Sequence, residues 1–197
     1  MLASLTRELL FHQEKRLWIR PTILAPHLGH LARFTNVTTL AFVGLVTSVF
    51  CATSLLDCFG SFVPSMQRLR LHRPITRPKP LVELFLFFST AIDIEIHCPR
   101  WSVTEEGGFH LHPPPRRARS VGTLYLRGFG ERWAHFFTLL SAEELGFRKT
   151  RLVDCQLNTP APIQSFLDAI SRTTHILHLV VFGDRESCLS YSTQGLD

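Results

Sequence analysis

One arrangement of apolar residues returns along the chain: an apolar residue, any two, an apolar residue, any one, and a further apolar residue. It stands as Val37, Leu40 and Phe42 in VTTLAF and as Met66, Leu69 and Leu71 in MQRLRL. It returns as Ala91, Ile94 and Ile96 in AIDIEI and as Val121, Leu124 and Leu126 in VGTLYL. A fifth copy, FRKTRL, holds Phe147, Thr150 and Leu152, and a sixth, THILHL, holds Thr174, Leu177 and Leu179. The last two each place one threonine in a slot that should be apolar. The middle positions, 40, 69, 94, 124, 150 and 177, are 29, 25, 30, 26 and 27 residues apart. A weaker copy, Leu17 and Ile19 in RLWI, stands 23 residues before the first. Alternation with period two predicts a strand buried on one face. Arg70, Glu95, Tyr125, Arg151 and His178 lie between the two inner apolar residues, so they point to the opposite face.

Between these copies the period changes from two to that of a helix. Ala52, Leu55, Leu56 and Phe59 are spaced i, i+3, i+4, i+7, as are Leu81, Leu84, Phe85 and Phe88. Trp133, Phe136, Phe137 and Leu140 repeat the spacing, as do Ile163, Phe166, Leu167 and Ile170. Each set makes one apolar stripe on a short helix. Pro78 and Pro80, and Pro160 and Pro162 after Asn158 and Thr159, mark two starts, because proline is tolerated in a first turn. Strand and helix thus alternate, one pair per repeat. One pair alone cannot bury its own apolar surfaces, but pairs stacked side by side form a parallel sheet covered by helices. The expected fold is α/β: an irregular solenoid with parallel strands on one face and short helices on the other.

The expected domain runs over 14–185, after an N-terminal flank, 1–13, and before a C-terminal tail, 186–197. The segment after Ile96 has Gly107-Gly108, three consecutive prolines and no helical stripe, so 99–118 is expected to be a long loop or inserted hairpin. The end, CLSYSTQGLD, stops where a further helix should begin, which leaves the last strand without a cap and suggests a fragment.

Residues 38–56, TTLAFVGLVTSVFCATSLL, carry no charge and are long enough to cross a bilayer. The repeat divides them into a strand at Leu40 and Phe42, a turn at Gly44, and the helix from Ala52. Eight threonine, serine and asparagine residues between Arg33 and Asp57, and arginines on both sides, also argue against a span. The five cysteines form no CxxC pair, and Arg7 and Glu8 interrupt the apolar run a secretory signal needs. A reduced protein of the cytoplasm or nucleus is expected. Asn36-Val37-Thr38 is a glycosylation sequon that matters only on a secretory route.

Charge adds little direction. Lys and Arg number 21 against 16 Asp and Glu, a net charge of +5. Arg68, Arg70, His72, Arg73 and Arg77 cluster after the second copy, and Arg116, Arg117 and Arg119 in the proline loop. Phosphate contacts would need such groups, yet Asp93 and Glu95 lie beside Arg70, with Tyr125 and Arg127 next along. Mixed sign and an aromatic suit a protein partner better than a polyanion. No nucleophile, P-loop, dinucleotide or zinc-protease motif is present, so no enzyme and no cofactor is expected. His110 and His112 with Cys98, and His175 with His178, have ligand types at short spacing, but no second pair stands where four ligands could converge.

The stretch FRKTRLVDCQL, 147–157, fits the leucine-rich-repeat template with Phe147, Thr150, Leu152, Cys155 and Leu157. Leu45, Pro74, Pro99, Phe129 and Phe182 stand in the slot that Cys155 occupies. With HLARFTNVTTLAF (30–42) and TPAPIQSFLDAISRTTHILHL (159–179), the chain resembles the repeat region of fungal F-box and leucine-rich-repeat proteins. That resemblance implies a module that binds a target protein for ubiquitination. It also implies a ligase scaffold as partner, but only if an F-box lies outside this chain, since none is found within it. The partner-binding residues expected are the outward strand residues Arg68, Arg70, His72, Asp93, Glu95, His97, Tyr125, Arg127, Lys149, Arg151 and His178. A membrane-anchored protein with a span near 37–56 and a basic nucleic-acid-binding protein are the alternatives.

Overall fold

A strand with one apolar face is stable only when its edges are paired and that face is covered. In the computed structural model, which describes residues 6–12, 30, 33–34, 36–45, 65–88, 91–101, 120–143, 146–155, 160–182 and 188–193, both conditions are met by neighbours in sequence. The strands in chain order are β1 (Glu8–His12), β2 (Thr39–Val43), β3 (Arg68–His72), β4 (Ile75–Thr76), β5 (Asp93–His97), β6 (Arg100–Trp101), β7 (Ser120–Arg127), β8 (Gly146–Val153), β9 (Ile176–Phe182) and β10 (Cys188–Thr193). An eight-stranded sheet has the order β1-β2-β3-β5-β7-β8-β9-β10, and every pairing is parallel except that of β10 with β9. The register aligns the repeat: Leu40, Leu69, Ile94, Leu124, Thr150 and Leu177 lie side by side on successive strands.

The described helices are α1 (Pro78–Phe87), α2 (Ala134–Ser141), entered through a 3-10 turn at Glu131–Trp133, and α3 (Ala161–Ile170). Pro78, Pro80 and Pro162 all sit in first turns, where a missing N–H breaks no helical bond. The predicted stripes face the sheet: Leu81, Leu84, Phe85, Phe88, Phe136, Phe137 and Phe166 are completely buried in one core with the inward strand residues. Each such side chain stabilises the fold by about 1.5–3 kcal/mol relative to exposure. Phe147, at the start of β8, joins the helices: its ring lies 6.1 Å from that of Phe85 and 6.4 Å from that of Phe166, which meets Phe137 at 5.6 Å.

The two threonines in apolar slots meet each other. Thr150 is fully buried, and its hydroxyl lies 3.5 Å from that of Thr174. Polarity in one repeat is thereby matched in the next.

Strand ends are also alike. The fourth residue after each of the first five aligned positions, Gly44, Arg73, Cys98, Gly128 and Asp154, has φ between 47° and 71°. Each of these residues donates its backbone N–H to the carbonyl oxygen of the residue three places after the aligned position on the next strand, over 2.6–2.9 Å. The left-handed residue turns the chain off the sheet, and the following Leu45, Pro74, Pro99 and Phe129 are buried beneath it. The turn therefore persists where the side chain at that slot varies. Gly128 has a second constraint, since a Cβ there would lie 2.8 Å from Cys98 Sγ and 3.2 Å from Cys98 Cα.

Three expectations change. The flank 1–13 contributes β1, and the tail 186–197 contributes β10, which pairs along β9 and covers the edge expected to lack a cap. The insertion begins later than residue 99: Arg100–Trp101 forms β6, a short second ladder parallel to β4, and Trp101 packs edge-on against Trp133 at 5.9 Å. The predicted helix at Ala52–Phe59, the RLWI copy and residues 102–119 lie outside the described residues, as does most of the uncharged stretch. Its beginning, residues 39–43, is strand β2 within the sheet. Among the described residues, no helix is long and apolar enough to cross a membrane.

Candidate interaction surface on the sheet

The face away from the helices is built by the remaining strand positions. Because the strands are parallel and in register, those positions form straight rows. One row runs Glu8, Thr39, Arg68, Asp93, Thr123, Lys149, Ile176; the next runs Leu10, Ala41, Arg70, Glu95, Tyr125, Arg151, His178. The third holds His12, Val43, His72, His97 and Arg127. All eleven residues expected at a binding face from the sequence lie in these rows.

Side chains on β1, β3 and β5 are paired with one another. Arg68 Nη2 donates to Asp93 Oδ2 at 3.4 Å. Arg70 reaches two ways: its Nε lies 3.3 Å from Glu95 Oε2, and its Nη1 lies 3.7 Å from Glu8 Oε1, across β2. The intervening residue is Ala41, short enough to lie beneath that reach and only 4% exposed. These half-exposed pairs each contribute a few tenths to about 1 kcal/mol. Their stronger effect is to hold the side chains in fixed positions.

An aromatic line crosses the same rows. The His72 and His97 rings stack at 4.5 Å, His97 and Tyr125 lie 4.8 Å apart, and the Arg151 guanidinium sits 5.3 Å from the Tyr125 centroid. The His97 pKa is lowered, first by burial and then by the His72 ring; Glu95 pulls the other way. His97 Nε2 stands 3.7 Å from Glu95 Oε2, too long for a hydrogen bond. The neutral imidazole is therefore favoured beside Tyr125.

Charge on this face is segregated. Arg127 and Arg151 are exposed and Lys149 is half-buried, and none of the three has an ion-pair partner among the described residues.

Cys155 occupies the turn slot after β8. Its Sγ lies 3.7 Å from the Val153 carbonyl oxygen and 3.9 Å from that of Leu126, on the preceding strand. Burial pushes this thiol up to about 11. Among the described residues, no three His, Cys, Asp or Glu side chains converge as metal ligands. His175 sits before β9 with Nδ1 3.0 Å from the Thr173 carbonyl oxygen. His110 and His112 lie outside the described residues.

Sequence reasoning missed Glu8. Its strand carries a usable signal, since Thr6, Leu9 and Phe11 repeat the form of Thr174, Leu177 and Leu179. Comparison of the chain with known protein families, with curated proteins and with solved structures finds no match.

Proposed function

We propose that the chain is a leucine-rich-repeat-like solenoid that acts as a protein-binding module through the outward face of its sheet. The observation that carries this reading is the row of Arg70, Glu95, Tyr125, Arg151 and His178 on adjacent parallel strands, flanked by the other outward residues. Side chains already held by ion pairs and ring contacts lose little freedom when a partner arrives. Chain-order pairing, the turn shared by successive strands and the placement of the Cys155 thiol support the repeat reading. By its resemblance to F-box and leucine-rich-repeat proteins, the partner is a protein to be ubiquitinated, and a ligase scaffold is a further partner only if an F-box exists outside this chain.

Site-specific photocrosslinking tests the module. A benzophenone side chain at Tyr125 or Arg151 is expected to capture a protein partner that the same group at His135, exposed on α2, does not. Equal capture from both faces, or capture from α2 alone, overturns the reading. Copurification of a ubiquitin-ligase scaffold with the protein expressed from its own locus tests the adaptor role. Its absence removes that role and leaves the module.

A further inference from the structure

The ion pairs divide the outward face. On β1, β3 and β5, the carboxylates of Glu8, Asp93 and Glu95 are matched by Arg68 and Arg70. On β7 and β8, Lys149, Arg151 and Arg127 face outward with no carboxylate partner among the described residues. Three uncompensated cations on a rigid sheet repel one another and favour an anionic occupant.

Their positions say more. Lys149 and Arg151 are two residues apart on β8. Arg127, on β7, pairs with Val153, two residues further along. Successive cations therefore step along the strand direction by about 6.6 Å, the last displaced sideways by about 4.8 Å. An extended peptide repeats its same-side residues at about the same interval. We propose that the β7–β8 half of this face docks an extended acidic segment of a partner protein, with carboxylates at alternate positions opposite Lys149, Arg151 and Arg127. This rests on the protein-binding reading above and names the chemistry of the partner.

A nucleic acid fits less well. Its phosphates continue past three cations, and one strand away they would meet Glu95 and Asp93. Tyr125 is flanked by His97 and Arg151, so its ring offers no open platform for a base.

The test is a selection of short random peptides on the full chain, followed by fluorescence polarisation with Ser-Asp-Ser-Asp-Ser-Asp-Ser and its Asn counterpart. Selected peptides are expected to carry Asp or Glu at alternate positions. The Asp peptide should bind more tightly than the Asn peptide. Arg127→Glu and Arg151→Glu are each expected to weaken it about three- to tenfold, while Arg132→Ala, on the helical side, leaves it unchanged. Both arginines are exposed, so reversal leaves the core intact. Should Arg151→Glu lower the melting temperature, Arg127→Glu and Lys149→Gln carry the test. Peptides without acidic enrichment, sensitive to Arg70→Ala or His72→Ala instead, overturn this proposal and leave the protein-binding reading standing. Peptides indifferent to every strand-face variant overturn both. A DNA oligonucleotide that binds more tightly than the Asp peptide at physiological salt, and is lost with the same reversals, overturns it in favour of nucleic acid.

Discussion

The left-handed turn that ends successive strands makes opposite demands on neighbouring strands, and paired substitutions at Gly128 and Cys98 expose them. Gly128 has φ 71°, and its added Cβ would approach Cys98 Sγ to 2.8 Å and Cα to 3.2 Å. A side chain in that conformation costs about 1–2 kcal/mol, and the enforced contact adds about 1–3 kcal/mol. Less the about 0.5–1 kcal/mol of chain entropy that alanine saves, Gly128→Ala should destabilise the protein by about 1–4 kcal/mol. Cys98 has φ 47° and already bears the conformational cost. Cys98→Gly removes about 1–2 kcal/mol of strain and gives back about 0.5–1 kcal/mol in chain entropy, a net gain near 0.5–1 kcal/mol. Gly130 is the control, with φ −86° and no atom within 4 Å of an added Cβ. Gly130→Ala should be neutral or stabilising by up to about 1 kcal/mol. In the double variant, Cys98→Gly removes the contact to Sγ but not to Cα, so part of the Gly128→Ala loss is recovered beyond additivity. Urea unfolding of the full chain measures each value. Equal effects of Gly128→Ala and Gly130→Ala, or a loss of about 1 kcal/mol in Cys98→Gly, would refute the shared turn.

Three further outcomes follow from the same geometry. Thr150→Val replaces a buried hydroxyl whose bond to Thr174 is long, while Thr174 is partly exposed to water, so the variant should gain about 0.5–1 kcal/mol in urea unfolding; a loss above that size would show the hydroxyl pair to be structural. Burial of Cys155 moves its pKa from 9.0 to about 11, so native protein at pH 8 should alkylate there about a hundredfold more slowly than unfolded protein, as followed by peptide mass spectrometry. His97 has a folded pKa below 6.5, so the unfolded state binds more protons once the pH falls below that value. The stability it contributes is present above 6.5 and lost as the pH falls through its folded value; His97→Gln should flatten that part of the stability–pH curve, and an unchanged slope would refute the assignment.

The outward rows were legible because period-two alternation sorts side chains between two faces, and a near-constant repeat aligns one strand with the next. Every predicted binding residue reached the face assigned to it for that reason. Glu8 could have been read from Thr6, Leu9 and Phe11, but its contact with Arg70 could not, because the two meet across β2 only where Ala41 between them is short. Residues 188–193 were not legible either: nothing in CLSYST dictates that it returns antiparallel along β9.

The alternation of apolar and polar residues, by itself, determined β2, β3, β5, β7, β8 and β9, the apolar stripes of α1, α2 and α3, and which side chains of those strands face outward, since these depend on local periodicity alone. Tertiary structure decided which charges are neutralised and which stand open. Arg70 and Arg151 occupy the same slot with two strands between them, yet one lies between two carboxylates and the other beside a tyrosine ring. Ion pairing falls off over a few ångströms, so it is settled by the neighbours a strand acquires in the sheet and not by those beside it in the chain.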